Sequence, residues 1–330
     1  MTTPYQQQGP TPMPPQTPPQ APPQTPPHAQ QQPPAQPYAA SPQQQPPQQQ
    51  FGSGYTSPIP VRRTHIGHAL ASEWTKIRTV RSTMWTLGTM FLLVVGIGLL
   101  TGVGLQGAEQ TVPLLSGGFF GLILGQICII TLGVLVVTSE YGTGMIRTTL
   151  TACPSRGRVL LAKSVVFFLL SLVMTTVATG LTALMHSSML GGRPPGEFAT
   201  IPKESVVGGE VIATSSEWLG ATLGAGLYVA LLGLLSLAVG SLLRHSAGAI
   251  TAMLGAVLLP LLLALFMQTE SLEKVREKLI EYSPLNGLAT LYRIPIDGGD
   301  GTGWHLLWIL VGVTAAALVA AFALLEKRDV

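Results

Sequence analysis

Charged residues are scarce in this chain. Only 10% of its 330 residues are Asp, Glu, Lys or Arg, whereas a soluble domain carries about 25%. Because 47% of the residues are apolar, the chain has too few charges to cover an ordinary water-facing surface. The composition argues against a typical soluble domain and favours a membrane protein.

Cysteines, metal-ligand motifs and nucleotide-binding motifs are also sparse. The two cysteines, Cys128 and Cys153, form no disulfide framework, and the six histidines show no HExxH spacing. No GxxxxGK[ST] phosphate loop occurs, and the GxGxxG match at Gly102, Gly104 and Gly107 ends an apolar helix instead of following a strand. We therefore expect no enzyme activity, no cofactor or metal bound by this chain, and no nucleic-acid partner.

Residues 1–60 form a Pro/Gln-rich segment with almost no charge. Proline removes backbone donors and glutamine offers little burial, so this segment is predicted to be a disordered cytoplasmic tail with polyproline II character. It is either an unstructured tether or a docking arm for a partner. It lacks the basic and apolar regions of a cleaved signal peptide.

Six apolar runs follow, each long enough for a membrane-spanning helix. Such a helix needs about 20 apolar residues, and the runs lack the period-two alternation of transmembrane strands. The predicted fold class is an all-α polytopic membrane protein, with an N-terminal amphipathic interfacial helix over 61–81 and a six-helix transmembrane domain over 82–330. The predicted spans are about 83–105, 115–138, 160–186, 218–242, 247–267 and 304–325.

The basic residues indicate the orientation of the spans. Placing the N-terminus inside puts most of the 18 Lys and Arg residues on the cytoplasmic side, including Lys163 and Arg244. Most acidic residues, such as Glu204 and Glu273, then fall outside. This distribution follows the positive-inside rule, so both termini are predicted to be cytoplasmic.

The segment His65–Arg81, directly before the first span, has the pattern of an interfacial helix. Its apolar positions share one helical face: Ile66, Leu70, Trp74 and Ile77. Its charged positions are expected off that stripe: Glu73, Lys76 and Arg78. A basic amphipathic helix with a tryptophan is typical of the membrane–water interface. The alternative is a simple extension of the first span.

The loop between the second and third spans, SEYGTGMIRTTLTACPSRGRVLLAK, is too long for a tight turn. It contains a short helical stretch at Met145–Ala152, before Pro154. The loop either only satisfies the orientation rule or provides the surface on which a cytoplasmic protein holds the membrane domain. The residues that we assign to such a contact are Glu140, Gly142, Gly144, Met145, Arg147, Arg156 and Arg158.

Polar side chains within the spans are few, and every Asp, Glu, Lys and Arg lies at a span edge or beyond it. Candidates for a substrate route are Gln126 in the second span and Thr175 and Thr179 in the third. The alternative is that these side chains hydrogen-bond to the backbone of their own helix or contact a neighbouring helix. A small-xxx-small ridge on the second span packs either within one protomer or between two: Gly117, Gly121 and Gly125.

Three segments resemble a known family. The interfacial ALASEWTKIRTVRSTMW, the loop quoted above and the late YSPLNGLATL are similar to type-2 ABC transporter permeases, especially actinobacterial-type members, over about residues 65–330. The resemblance implies that six spans form one half of an exporter, beside a second permease copy or paralogue. It also implies a separate ABC ATPase subunit that binds ATP and Mg²⁺ and docks on a coupling helix, here within 140–158. The implied connecting helix is His65–Arg81, and the implied extracellular segment is Gln268–Asp300.

The leading hypothesis is the membrane-spanning permease subunit of an ATP-driven ABC exporter in the bacterial cell membrane. A chain that has the architecture of a transporter but no intramembrane charge and no nucleotide-binding motif must receive its energy from another subunit. The alternative is a non-transporting membrane anchor or signalling scaffold that recruits partners through its tail. An ATPase coding sequence next to this one would separate the two. The uncharged interior favours amphiphilic or hydrophobic substrates and identifies none.

Overall fold

The computed structural model describes residues 65–152, 155–294, 296 and 301–327, so the predicted tail over 1–60 lies outside the described residues. The first helices are α1 (Ile66–Thr79), α2 (Arg81–Leu105), α3 (Gly118–Gly142), α4 (Met145–Ala152) and α5 (Arg156–Leu190). A two-stranded antiparallel hairpin follows, made of β1 (Val206–Val207) and β2 (Glu210–Val211), with Val206 opposite Val211. The remaining helices are α6 (Ser215–Leu219), α7 (Ala225–Leu243), α8 (Ser246–Phe266), α9 (Glu273–Glu281), α10 (Pro284–Leu291) and α11 (Trp304–Lys327).

Six helical segments in the described part of the chain are long and apolar enough to cross a membrane. They are α2, α3, α5, the continuous rod of α6 and α7, α8 and α11. This confirms the prediction of six spans. The rod of α6 and α7 contains one π-helical turn, Gly220–Gly224. The third span is longer than the predicted 160–186, because α5 has 35 residues and already begins at Arg156.

The helices divide into a central and a peripheral group. In their most apolar stretches, α3 is 56% buried and the α6–α7 rod 67%, whereas α2 is 28% buried and α8 and α11 are each 22% buried. α3 packs between α2 and α7, and α5 contacts the same two helices. Large side chains such as Leu122, Ile129, Phe167 and Leu232 therefore fill the space between these four helices.

Glycines on α3 allow α2 to approach closely within the same protomer. A β-carbon at Gly121 would lie 2.7 Å from the Val94 carbonyl oxygen, which is closer than such atoms approach. One at Gly125 would meet the Val94 side chain, and one at Gly117 would meet the ring of His186. The glycine ridge predicted from the sequence thus packs within one protomer, as small residues do at close helix contacts.

Contacts between the ends of several helices define one end of the bundle, which we call the α4 end. The Arg156 guanidinium donates to the Leu325 carbonyl at 3.3 Å and so joins the start of α5 to α11. The Arg244 guanidinium lies 5.0 Å from the centre of the Tyr141 ring, which joins the end of α7 to α3. Four spans therefore meet near α4.

The opposite end, which we call the α10 end, is closed by a short buried helix. Ser283 caps α10 by accepting a hydrogen bond from the Asn286 amide, and Pro284 occupies the first helical turn, where a missing N–H costs nothing. The Asn286 side chain is fully buried and bonds the Glu281 carbonyl and the Ile296 amide. Side-chain and backbone hydrogen bonds thus fix this end.

Candidate functional site

The short helix α4 lies in the turn between α3 and α5. The chain leaves α3 at Gly142 and reverses at Gly144, whose φ of 72° is in the left-handed region that glycine adopts without steric cost. Eight residues of helix follow. On α4 the Arg147 side chain is exposed, whereas Ile146 is half-buried and faces Val137 of α3 and Leu160 of α5 across a small cavity. One side of α4 is therefore anchored to the bundle and another is open.

A cleft of about 370 Å³ separates α1 from α4. It combines polar and apolar side chains, and its floor includes two ionised groups. The lining residues are His65, His68, Ala69, Ser72, Glu73, Lys76, Met145, Thr148, Thr149 and Val159. The cleft is large enough for side chains of another protein and lies beside the open side of α4.

Four charged side chains at the base of this cleft form a closed network, which we call the charge ring: Glu73, Lys76, Glu140 and Lys163. The Lys163 ammonium lies 2.7 Å from Glu73 Oε2 and 2.9 Å from Glu140 Oε1. The Lys76 ammonium lies 2.8 Å from Glu73 Oε1 and 3.0 Å from Glu140 Oε1. Each charge therefore has two neighbours of opposite sign, and the ring is neutral. It joins α1, α3 and α5.

Three of the four members of the ring are buried, which makes its charge balance important. Glu73 is 3% exposed, Lys163 is 4% and Glu140 is 6%. Removing one member of such a group leaves an uncompensated buried charge, which costs about 3–5 kcal/mol. Burial lowers the pKa of Lys76, but its hydrogen bonds to Glu73 and Glu140 outweigh that effect and raise the pKa above the ordinary value. Lys76 therefore stays protonated at neutral pH.

The position of Glu73 corrects the expectation that its side chain lies off the apolar stripe of α1. Glu73 is seven residues after Ile66 and four before Ile77, and both spacings belong to one helical face. In the structure Glu73 and Ile77 are the buried residues of α1, and both face the bundle. The spacing was a usable signal, but a lone carboxylate among apolar residues predicts burial only when a partner such as Lys163 is known.

The burial of Lys163 was not predicted from the sequence either. Lys163 was placed at the cytoplasmic edge of the third span, but α5 begins at Arg156, so this residue lies about two helical turns inside the helix and is buried. Neither Lys163 nor Glu73 was among the predicted site residues. The available signal was the opposite charge of Glu140 and Lys163 at the facing ends of consecutive spans.

The other predicted residues of α1 lie on two sides of the helix. Ile77 packs on the bundle and Leu70 is half-buried, whereas Ile66 and Trp74 are 44% and 46% exposed. The exposed pair leaves an apolar, tryptophan-bearing side available for lipid, as in interfacial helices. α1 therefore contacts the bundle, the cleft and the surroundings through three different sides.

The candidate substrate-route residues are enclosed by the protomer. Gln126 and Thr175 are fully buried, and Thr179 is nearly so. The Thr179 hydroxyl donates to the Thr175 carbonyl at 3.0 Å, which is back-bonding to the helix. Among the described residues, the Gln126 amide and the Thr175 hydroxyl have no hydrogen-bond partner. These side chains do not line an open path within a single protomer.

The fold and the site define a multi-pass α-helical membrane protein in which buried charges join α1 to two of the spans beside a short loop helix. The family model described as ABC-2 family transporter protein matches residues 24–330. The chain therefore belongs to the ABC-2 transporter family, which confirms the resemblance to type-2 ABC transporter permeases. It is a permease component of an ABC transporter, a transport component that is not itself catalytic. A comparison with curated proteins found no significant match.

Proposed function

We propose that this chain is the permease subunit of an ATP-driven exporter and that a separate ABC ATPase drives it through α4. The observation that carries the proposal is the placement of α4, which is anchored to the bundle on one side and open on another, beside the 370 Å³ cleft. A protein seated on this surface would contact a helix that is linked to α3 and α5. The sequence has no phosphate loop, so ATP and Mg²⁺ would bind to the partner.

This assignment fixes the orientation. ATP is hydrolysed in the cytoplasm, so the α4 end faces the cytoplasm and the α10 end faces outward. The same orientation follows from the basic residues of the 140–163 loop, which has Arg147, Arg156 and Arg158 and no acidic residue after Glu140. Both termini are then cytoplasmic, and the protein resides in the bacterial cell membrane.

The translocation path would lie between two permease copies, or between this chain and a paralogue. The candidate route residues Gln126, Thr175 and Thr179 are enclosed within a single protomer. By contrast, only 28% of the most apolar stretch of α2, and 22% of that of α8 and of α11, is buried in the protomer. A path between two copies would be formed by such faces. It would not require a cavity within either copy. The buried Gln126 and the threonines would then support helix packing.

The alternative is a membrane anchor or scaffold that recruits partners through its Pro/Gln-rich tail. The permease family argues for transport, and an anchor has no need for the charge ring or the cleft beside α4. An ATPase coding sequence adjacent to this one would favour the exporter, and its absence would favour the scaffold.

Proline at position 149 tests the role of α4. Thr149→Pro removes a backbone donor in the middle of an eight-residue helix and costs about 3 kcal/mol or more of helix stability. Thr149→Ser, which keeps both the helix and the hydroxyl, is the matched control. We expect the proline variant to insert normally but to lose the effect of the permease on ATP hydrolysis by the co-purified ATPase. Wild-type ATPase association and hydrolysis in the proline variant would overturn the proposed role.

A further inference from the structure

The four members of the charge ring differ in what they contact outside it. Lys163 has a side chain only 5% exposed, whereas that of Lys76 is 29% exposed. Lys76 is also the member that reaches α4 by a polar contact: its ammonium lies 3.5 Å from the Thr149 hydroxyl. Lys76 and Thr149 both line the cleft in which we place the ATPase. Lys76 therefore sits between the docking surface and the buried charges.

Another residue of α4, Ile146, also lies near the ring. A small cavity of about 20 Å³ is lined by Ile146 of α4 together with Glu140 and Lys163. Thr149 and Ile146 are three residues apart, so both lie on the face of α4 that is turned toward the ring. A displacement of α4 relative to α3 and α5 must disturb one of these contacts.

The ring resists such a displacement at Lys76. Both lysines bond the same oxygen of Glu140, Oε1, and each bonds a different oxygen of Glu73. If Lys76 moves away alone, Lys163 is left between two buried carboxylates. The resulting uncompensated negative charge is unfavourable in a buried site. A movement of α1 and α4 would therefore displace α3 and α5 as well, instead of breaking the contacts of Lys76 with the two carboxylates.

We propose that Lys76 is the positioning residue through which a displacement of α4 reaches α3 and α5, with the charge ring as the joint between them. The inference deepens the proposed function and rests on it. It differs from a purely structural role, which predicts that the more buried of the two lysines, Lys163, matters more than Lys76 in every assay. Under this proposal, substitution of Lys76 has the largest effect on coupling, although Lys76 is the most exposed member of the ring.

The test uses the permease co-purified with its ATPase and reconstituted in liposomes. The coupling readout is the factor by which the permease changes the ATP hydrolysis rate relative to the ATPase alone. Association is measured by co-purification, and folding by the thermal unfolding temperature of the permease. Lys76→Met is compared with Arg78→Met, an exposed basic residue of the same helix that lies outside the ring, and with Lys76→Arg, which keeps the charge.

We expect Lys76→Met to associate normally but to reduce the coupling factor at least about fivefold, the lower end of typical coupling free energies. Arg78→Met should match the wild type, and Lys76→Arg should retain most of the coupling. A Lys76→Met complex that couples like Arg78→Met would overturn the inference. A wild-type permease that neither binds the ATPase nor changes its rate would instead overturn the proposed function itself.

A double variant separates positioning from charge balance. Glu73→Gln combined with Lys76→Met removes one charge of each sign and leaves the balanced pair of Glu140 and Lys163. We expect this protein to unfold at a higher temperature than Lys76→Met, while its coupling stays lost because the link to α4 is absent. Recovery of coupling in the double variant would show that only charge balance matters and would contradict the role of Lys76.

Discussion

Two buried carboxylates, Glu140 at the α4 end and Glu217 at the α10 end, are held by different kinds of partner. Glu140 is paired with Lys76 and Lys163, which are 64 and 23 positions away in the sequence. Glu217 accepts hydrogen bonds from the Ser205 hydroxyl at 2.7 Å and the Thr214 amide at 2.9 Å, which are 12 and 3 positions away. One carboxylate joins separate helices, and the other caps its own.

The two carboxylates therefore have different structural roles. Glu217 forms a capping box with Thr214 at the start of α6, which satisfies local backbone donors. Glu140 belongs to a neutral ring whose members come from three helices, so its geometry depends on how those helices sit together. Under the proposed function, the buried carboxylate at the end that binds the ATPase belongs to an ionic network that joins three helices.

The largest expected effect comes from reversing one charge of the ring. Glu140→Lys places three cations around the single carboxylate of Glu73, two of them at buried positions, and we expect a loss of several kcal/mol and little folded protein. Membrane abundance and thermal unfolding in detergent would measure it. Reversing all four positions restores the alternation, in the variant Glu73→Lys, Lys76→Glu, Glu140→Lys, Lys163→Glu. We expect partial recovery of abundance, and none would argue against pairing as the source of stability.

A matched pair of neutral substitutions tests the comparison itself. Glu140→Gln leaves two lysines with one carboxylate and should cost about 3–5 kcal/mol. Glu217→Gln should cost less than about 1 kcal/mol, because its amide can accept from Thr214 and donate to the Ser205 hydroxyl, which accepts as well as donates. Unfolding temperatures of the two variants give the comparison. Equal losses would mean that the two carboxylates are held in the same way.

Cysteine labelling would determine which end faces the cytoplasm, with little expected effect on stability. Lys163 is unsuitable as a reporter because it is buried, whereas Arg147 at the α4 end is exposed and Phe198 at the α10 end is 83% exposed. Single cysteines would replace each residue in a protein lacking Cys128 and Cys153. From outside intact cells, a membrane-impermeant maleimide should label position 198 and spare position 147. The reverse pattern would overturn the orientation.

The smallest expected effect is that of removing the tail. Deleting residues 2–58 should leave insertion and thermal stability unchanged, because a Pro/Gln-rich, charge-poor segment contributes no apolar core. Immunoblotting of membranes together with thermal unfolding would test this. Rapid degradation of the truncated protein would contradict the tether hypothesis. Loss of transport at normal abundance would instead support a docking role.

Sequence patterns predicted the spans better than the contacts between them. Long apolar runs are local signals, and the six helices follow them closely. The short helix before Pro154 and the glycine ridge were also predicted from the sequence. The charge ring was not predicted, because burial of Glu73 and Lys163 depends on how α1 and α5 are rotated against α3. The sequence places Glu73 on a helix face but does not say which neighbour covers that face.

Site-specific photocrosslinking tests the central claim most directly. A photoreactive amino acid at Thr148, which is exposed on α4 and lines the cleft, would be activated in membranes that contain the co-expressed ATPase. The same group at Phe198, at the opposite end, is the control. The account predicts a crosslinked adduct of permease and ATPase from position 148 and none from position 198. An ATPase that co-purifies with the permease but gives no adduct from position 148 would contradict it.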